Sequence, residues 1–328
     1  MVLSAPAPPQ SRPLAWERRA DLQPGPGEVL LEVEACAVCR TDLQIATGDL
    51  GARTLPIVPG HQVVGRVVGL GPEVPGELQG SRLGVGWLAS TCGRCEFCCG
   101  GRENLCPAST FTGWDRDGGF ASQVVVSAAF AYPLPAAGAA MELAPLLCGG
   151  IIGYRALRLT GLEAGQRLGL FGFGASALLV AQVALHRGLE VFVSSRGAQA
   201  RARARALGVA WVGEAGTPPP APLQGAITFA PAGAVVVAAL QALERGGICV
   251  VNAIHLDGIP SFPYPLLYWE RRLMSVANFT REDSRELLRL ADEIPIRTLA
   301  EPLPLRQANV ALARVQADLV QGAMVLVP

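Results

Sequence analysis

The hydrophobic period of this chain changes near Met141, and that change constrains the fold more than any other feature. Before it, β-branched runs at Glu28–Ala35, Val63–Leu70, Arg82–Leu88 and Gln123–Val126 are separated by turn sequences such as Pro24-Gly25-Pro26-Gly27, Gly71-Pro72 and Pro75-Gly76. Alternating runs bounded by Gly and Pro mark strands, so this part reads as an all-β module. After it comes a helical run from Met141 through Thr160, then a new rhythm. Apolar strands at Leu168–Phe171, Val191–Ser194, Ile227–Phe229 and Ile248–Val251 alternate with helices at Ala175–His186, Ala198–Leu207 and Ala232–Leu243. Such alternation predicts a parallel sheet covered on both faces, which Leu273–Ala277 would extend. Two amphipathic segments, Glu282–Asp292 and Gln307–Val320, and a strand at Met324–Val327 close the chain. The expected topology is a β module interrupted by an inserted dinucleotide-type sheet, with the C-terminus returning to the first module.

A length of 328 residues suits about two domains. Acidic and basic residues balance at 27 each, which leaves no single-sign field for a nucleic acid. All 27 cations are arginine. Without lysine there is no Schiff-base enzyme, no P-loop and no protein-kinase site, and the tyrosine–lysine pair of short-chain dehydrogenases is excluded too. Met1–Gln10 has neither a basic nor an apolar signal region, so the protein is expected to be cytoplasmic. The uncharged stretches Leu168–Leu185 and Thr217–Leu243 are broken by glycines and prolines and read as buried α/β segments rather than membrane spans.

Nine cysteines in such a protein suggest metal ligands rather than disulfides. Cys92, Cys95, Cys98 and Cys106 are spaced C-x2-C-x2-C-x7-C. Four thiolates from one loop suit a tetrahedral zinc with no open position, hence a structural site, and metal binding would order the loop. An iron–sulfur cluster or a pair of disulfides are the alternatives for the same residues. Cys99 breaks the period and reads as a bystander; Cys36 and Cys249 lie in apolar strands and read as core. Cys39, His61 and Cys148 form a second set. Each alone would be packing, but together two thiolates and one imidazole suit a catalytic zinc with a free fourth position.

Gly172-Phe173-Gly174-Ala175-Ser176-Ala177 follows a strand and opens a helix, the context of a dinucleotide fingerprint. Its glycines let the backbone approach a pyrophosphate whose charge the helix N-terminus stabilises. A site for NAD places Asp or Glu at the end of the next strand, where this chain has Ser194-Ser195-Arg196. With no carboxylate and an arginine present, NADP(H) is favoured over NAD(H), with Arg201 a candidate addition to the 2′-phosphate pocket. Ser176 does not form a nucleophile elbow, because Gly174-Ala175-Ser176-Ala177 lacks the closing glycine.

Taken in order, Cys39-x-Thr41-Asp42, Gly60-His61, the four-cysteine loop, Gly113-Trp114, Gly118-Gly119-Phe120, Leu146-Leu147-Cys148 and the glycine-rich turn resemble the zinc-dependent medium-chain alcohol dehydrogenases over essentially the whole chain. The resemblance implies an α/β protein: a GroES-like β-rich catalytic domain, residues 1–148 completed by 279–328, plus a Rossmann doubly wound parallel sheet, residues 149–278. It assigns a catalytic zinc to Cys39, His61 and Cys148 and a structural zinc to the loop, two per subunit. It also implies Thr41 as the proton acceptor, with Asp42 orienting the histidine. Arg40 joins Gly172, Phe173, Gly174, Ala175, Ser176, Ser195, Arg196 and Arg201 around the cofactor, and Leu50, Trp87, Trp114 and Ile254 line an apolar substrate pocket. Relatives of this kind form homodimers or homotetramers.

The implied function is reversible hydride transfer between a primary or secondary alcohol and a nicotinamide cofactor. Three positions depart from the family, one of them Ala323, where an arginine is often found near Gly322. Gln62 stands where a glutamate is usual beside the metal, and Gln44 where many relatives carry a relay histidine. They leave open a catalytically altered zinc- and NADPH-binding protein of the same fold, or a zinc-independent carbonyl or quinone reductase.

Overall fold

The computed structural model describes residues 1–328 and divides into two compact units, Met1–Cys148 with Asn278–Pro328, and Gly149–Ala277. The first unit is built on a seven-stranded sheet. Its central strand, Glu28–Val38, pairs antiparallel with Gln62–Leu70, Gln123–Ser127 and Ala323–Val327. The C-terminal strand therefore lies directly beside the longest N-terminal one, as the topology reading requires. Arg82–Val85 and Ala131–Pro133 extend one side, and Ala300–Pro304 pairs parallel with Ala323–Val327 on the other. Glu28–Val38 alternates partly exposed and buried residues at its start and is buried throughout its last four. The end that leads to Cys39 is thus the end sunk in the core, among Val63, Ile45, Phe120 and Met324.

The second unit is a six-stranded, wholly parallel sheet. Trp211–Gly213, Glu190–Ser194, Arg167–Phe171, Leu223–Thr228, Leu243–Val251 and Arg272–Ser275 lie in that spatial order. Counted along this unit the order is 3-2-1-4-5-6, the doubly wound arrangement, whose ligand crevice opens at the carboxyl ends of strands 1 and 4. Leu168–Phe171 and Ala226–Thr228 are buried on both faces, as the uniform apolar runs predict. Both uncharged stretches resolve into a strand and a helix of this unit, and no single helix is long and apolar enough to cross a membrane.

Two expected helices are shorter in the structure. The run from Met141 to Thr160 is broken into Ala140–Leu143, a 3-10 turn at Ala144–Leu147 and Gly149–Thr160. Pro145 withholds an N–H, and Cys148 departs from helical geometry at φ −134°, ψ −74°. The segment from Gln307 is helical only over Ala308–Gln316, because Asp318 turns left-handed at φ +53°.

Candidate functional site

Cys39 ends the buried strand and caps helix Arg40–Thr47 in extended geometry. Asp42, one turn in, is fully buried and accepts a 2.8 Å hydrogen bond from the Cys39 N–H through one oxygen. Its other oxygen lies 2.8 Å from Nδ1 of His61. His61 enters from the start of strand Gln62–Leu70, and Gly60 before it has φ +100°. A Cβ on Gly60 would sit 2.4 Å from the Phe120 ring, so only glycine can deliver the histidine here. Cys148 arrives from the broken helix, which is packed so tightly that a Cβ on Gly84 would lie 2.6 Å from Leu147 and one on Gly86 2.8 Å from the Leu147 carbonyl.

These three entries converge. The ligand atoms of Cys39, His61 and Cys148 all lie within 4.8 Å of one another. Nε2 of His61 is buried with no hydrogen-bond partner, although Asp42 fixes the ring through Nδ1. An orphaned imidazole nitrogen facing two sulfurs is what a metal ligand looks like before its ion is added. The electrostatics agree. Burial alone would lower the pKa of His61, yet the Asp42 carboxylate and the Cys39 sulfur raise it to about 10, so without a metal a proton takes the cation's place. The hydrogen bond from Cys148 holds Cys39 well below the usual thiol range, while the same contact pushes Cys148 up. The cluster is a negative, desolvated cradle for a cation.

The cysteine loop is equally closed. Sγ of Cys98 lies 3.5 Å from Cys95 and 3.9 Å from Cys92. Tetrahedral zinc with Zn–S near 2.3 Å places its sulfurs about 3.8 Å apart. All nine cysteines are free, and an iron–sulfur cluster would spread the thiolates across several intervening atoms. A single tetrahedral ion fits and both alternatives fail. The backbone N–H groups of Arg94 and Cys95 draw Cys92 down to about 6, which favours the thiolate a metal needs. Cys99 is exposed, while Cys36 and Cys249 are buried in the cores of their units.

Thr41 is buried, its hydroxyl 3.8 Å from the Cys39 sulfur. Gln62 donates to the Ala37 carbonyl at 3.3 Å, and Gln44 is buried with its Oε1 unpartnered. Neither amide can titrate. Trp87 meets His61 edge-on at 5.0 Å and stacks on Trp114 at 5.8 Å, and Trp114 Nε1 donates to the carbonyl of Gly51 beside Leu50. Trp87 thus touches the His61 ring, while Leu50 and Trp114 are partly buried against the same core. Ile254 belongs to the second unit, where its side chain is 71% exposed.

In the second unit Gly172 turns at φ +93°, and a Cβ there would meet Ala230 N at 3.1 Å. Phe173 is buried, Gly174 caps helix Ala175–His186, and Ser176 donates to the Gly149 carbonyl at 2.6 Å. Ser195 is buried and Arg196 exposed. Arg201 donates to the Ser195 carbonyl at 2.8 Å and the Arg196 carbonyl at 2.6 Å. Its guanidinium braces this turn instead of standing free. Arg40 is likewise engaged, with the Val315 carbonyl at 3.1 Å and with Asp318.

Sequence reasoning overlooked two features. Glu103, buried inside the cysteine loop, accepts from the Arg281 backbone and from its guanidinium at 2.6–3.0 Å, tying the loop to helix Arg281–Glu293. Arg53 stacks on Trp114 with 3.9 Å between Cζ and the ring centre. Nothing local marks either, since both contacts are made to residues distant in the chain.

Residues 25–136 match the family described as the alcohol dehydrogenase GroES-like domain. The chain is 47% identical over 327 residues to a probable alcohol dehydrogenase, AdhA, of Mycobacterium tuberculosis (strain CDC 1551 / Oshkosh), covering 98% of this chain and 94% of that one. It is 32% identical over 314 residues to an alcohol dehydrogenase of Geobacillus stearothermophilus, covering 92% and 91%. Among solved structures, a cinnamyl alcohol dehydrogenase of Sorghum bicolor superposes with TM-score 0.88 at 27% identity, covering 99% and 96%. With two closed metal-ligand sets and a doubly wound sheet already in place, the chain belongs to the zinc-containing medium-chain alcohol dehydrogenase family.

Proposed function

We propose that the protein catalyses reversible oxidation of primary or secondary alcohols to aldehydes or ketones, with NADP(H) as the preferred hydride carrier. The observation that carries this reading is the convergence of Cys39, His61 and Cys148 within 4.8 Å, with His61 Nε2 left without a partner. These three would hold the catalytic zinc, and Cys92, Cys95, Cys98 and Cys106 the structural one. A zinc ion bound by three protein ligands supplies Lewis acidity at its fourth position and lowers the pKa of a hydroxyl placed there.

The remaining work falls to this chain. Asp42 holds the His61 ring in the tautomer that frees Nε2. Thr41, buried beside Cys39, offers a hydroxyl that can accept the alcohol proton and release its own. Because Gln44 cannot take a proton, the path from buried Thr41 would run through the cofactor's ribose hydroxyls and water. Leu50, Trp87 and Trp114 form the apolar wall against which the alcohol packs. The test is turnover by the purified protein with a panel of alcohols and both nicotinamide cofactors; no turnover with either contradicts the reading.

Support for NADP(H) comes from the turn Ser194-Ser195-Arg196, which carries no carboxylate, exposes Arg196 and is braced by Arg201. A charge-assisted pair with a 2′-phosphate is worth about 1.5–3 kcal/mol. Arg196→Ala is therefore expected to raise KM for NADP by roughly 10- to 100-fold and to leave KM for NAD unchanged. A wild-type preference for NAD would refute the assignment.

Self-association through the second unit is part of the same reading. Arg272–Ser275 is an edge strand paired on one side only. Ile259, Tyr264, Tyr268, Trp269 and Met274 on and before it are all exposed. An unprotected apolar edge of this kind invites a second copy. Sedimentation is expected to give two or four chains per particle, and a monomer at micromolar concentration would overturn the proposal.

A further inference from the structure

Arg53 lies in a Gly- and Pro-rich loop where an arginine ordinarily points into water. Here its Cζ sits 3.9 Å from the centre of the Trp114 ring and 5.5 Å from that of Phe111. Trp114 and Phe111 lie side by side, 5.7 Å apart, and both stack on Trp87 at interplanar angles of 18° and 19°. Trp87 in turn meets the His61 imidazole at 5.0 Å and 74°. The layers run in order from a guanidinium at the surface through two sheets of rings to a ligand of the candidate catalytic metal.

Two loops are fastened by this stack. Asp115 accepts from Arg53 Nη1, each oxygen at 3.3 Å, and from the Phe111 N–H at 2.9 Å. The Trp114 indole N–H donates to the Gly51 carbonyl at 2.9 Å, and the Thr54 hydroxyl to the Asp115 carbonyl at 3.4 Å. An Arg–Asp pair whose guanidinium is half in solvent contributes little by itself. A guanidinium spread over an indole face adds cation–π attraction and covers the ring, and that gain requires both loops to keep their present positions.

We propose that Arg53 is a positioning residue that sets substrate selectivity, by clamping Trp114 and Trp87 as a fixed flat wall for the part of the alcohol beyond its carbinol carbon. The proposal rests on the alcohol-oxidising reading above. Trp87, beside the imidazole, is within reach of any alcohol held there. Trp114 is one ring further out and touches only longer or aromatic substrates. Flat rings gain most from an indole face held still, so benzylic alcohols are the class the clamp favours over short aliphatic ones.

The test compares wild type with Arg53→Ala and Arg53→Lys, using ethanol and benzyl alcohol as probes. Arg53→Ala should raise KM for benzyl alcohol about fivefold, with kcat within about twofold and KM for ethanol unchanged. Arg53→Lys, which keeps the charge but loses the planar fork, should fall between. A readout free of activity is the exciton couplet in circular dichroism expected from the stacked Trp87–Trp114 pair, weakened in Arg53→Ala. Equal changes in KM for both alcohols, or no change in either, would overturn the proposal. If wild type oxidises no alcohol, the functional reading fails separately, and an unaltered couplet in Arg53→Ala then removes the clamp as well.

Discussion

Replacing Cys39 with serine should lower kcat/KM for alcohol oxidation by about 10³-fold or more while the protein stays folded. The size follows from what the residue does. Lewis-acid stabilisation of developing charge is worth several kcal/mol, and each 1.36 kcal/mol is tenfold in rate. The alternatives within the chain are poor: Gln62 and Gln44 are neutral amides, and Cys36 is a core thiol whose pKa burial pushes well up. Folding should survive, because Cys39 caps its helix through its backbone, with Asp42 accepting from the Cys39 N–H. Steady-state kinetics with circular dichroism on the same preparation checks both halves. Activity that persists in folded Cys39→Ser would point to a zinc-independent reductase.

Replacing Cys106 with serine should act on stability. The loop Cys92–Cys106 buries only Glu103, Asn104 and Cys106, none of them a large apolar side chain. Ordering each residue costs about 1–2 kcal/mol in backbone entropy, and so little burial cannot offset that. A metal ion at four thiolates can, since structural zinc contributes about 10–16 kcal/mol in small peptides. The Glu103–Arg281 fork would remain, anchoring one end while the rest frays. Tm is expected to fall by roughly 10 °C, which corresponds to a few kcal/mol in a protein of this size. Trypsin should then cut at Arg94 and Arg102, which the intact loop protects; unchanged melting and no cleavage would show that the loop orders itself.

The architecture was readable because period and punctuation carry it. Alternating strands interrupted by Gly–Pro turns, then apolar strand–helix repeats, place both sheets and the return of Met324–Val327 beside Glu28–Val38. The metal donors were readable by residue type and by order along the chain, although their closure depends on Gly60 and on the break at Cys148, which only packing reveals. Helix ends were missed where a backbone angle decides them, as at Asp318. The roles of arginines were least legible. Arg201, a candidate for the 2′-phosphate pocket, braces the turn it follows, while Arg53 stacks on an indole and Arg281 grips a buried carboxylate, contacts that no local signal marks.

The most direct test is the zinc content of freshly purified protein alongside His61→Ala. The account requires two ions per chain in the first and one in the second, the survivor held by Cys92, Cys95, Cys98 and Cys106. One ion per chain in both, seated in that loop, would leave Cys39, His61 and Cys148 as mere packing and contradict the account at its centre.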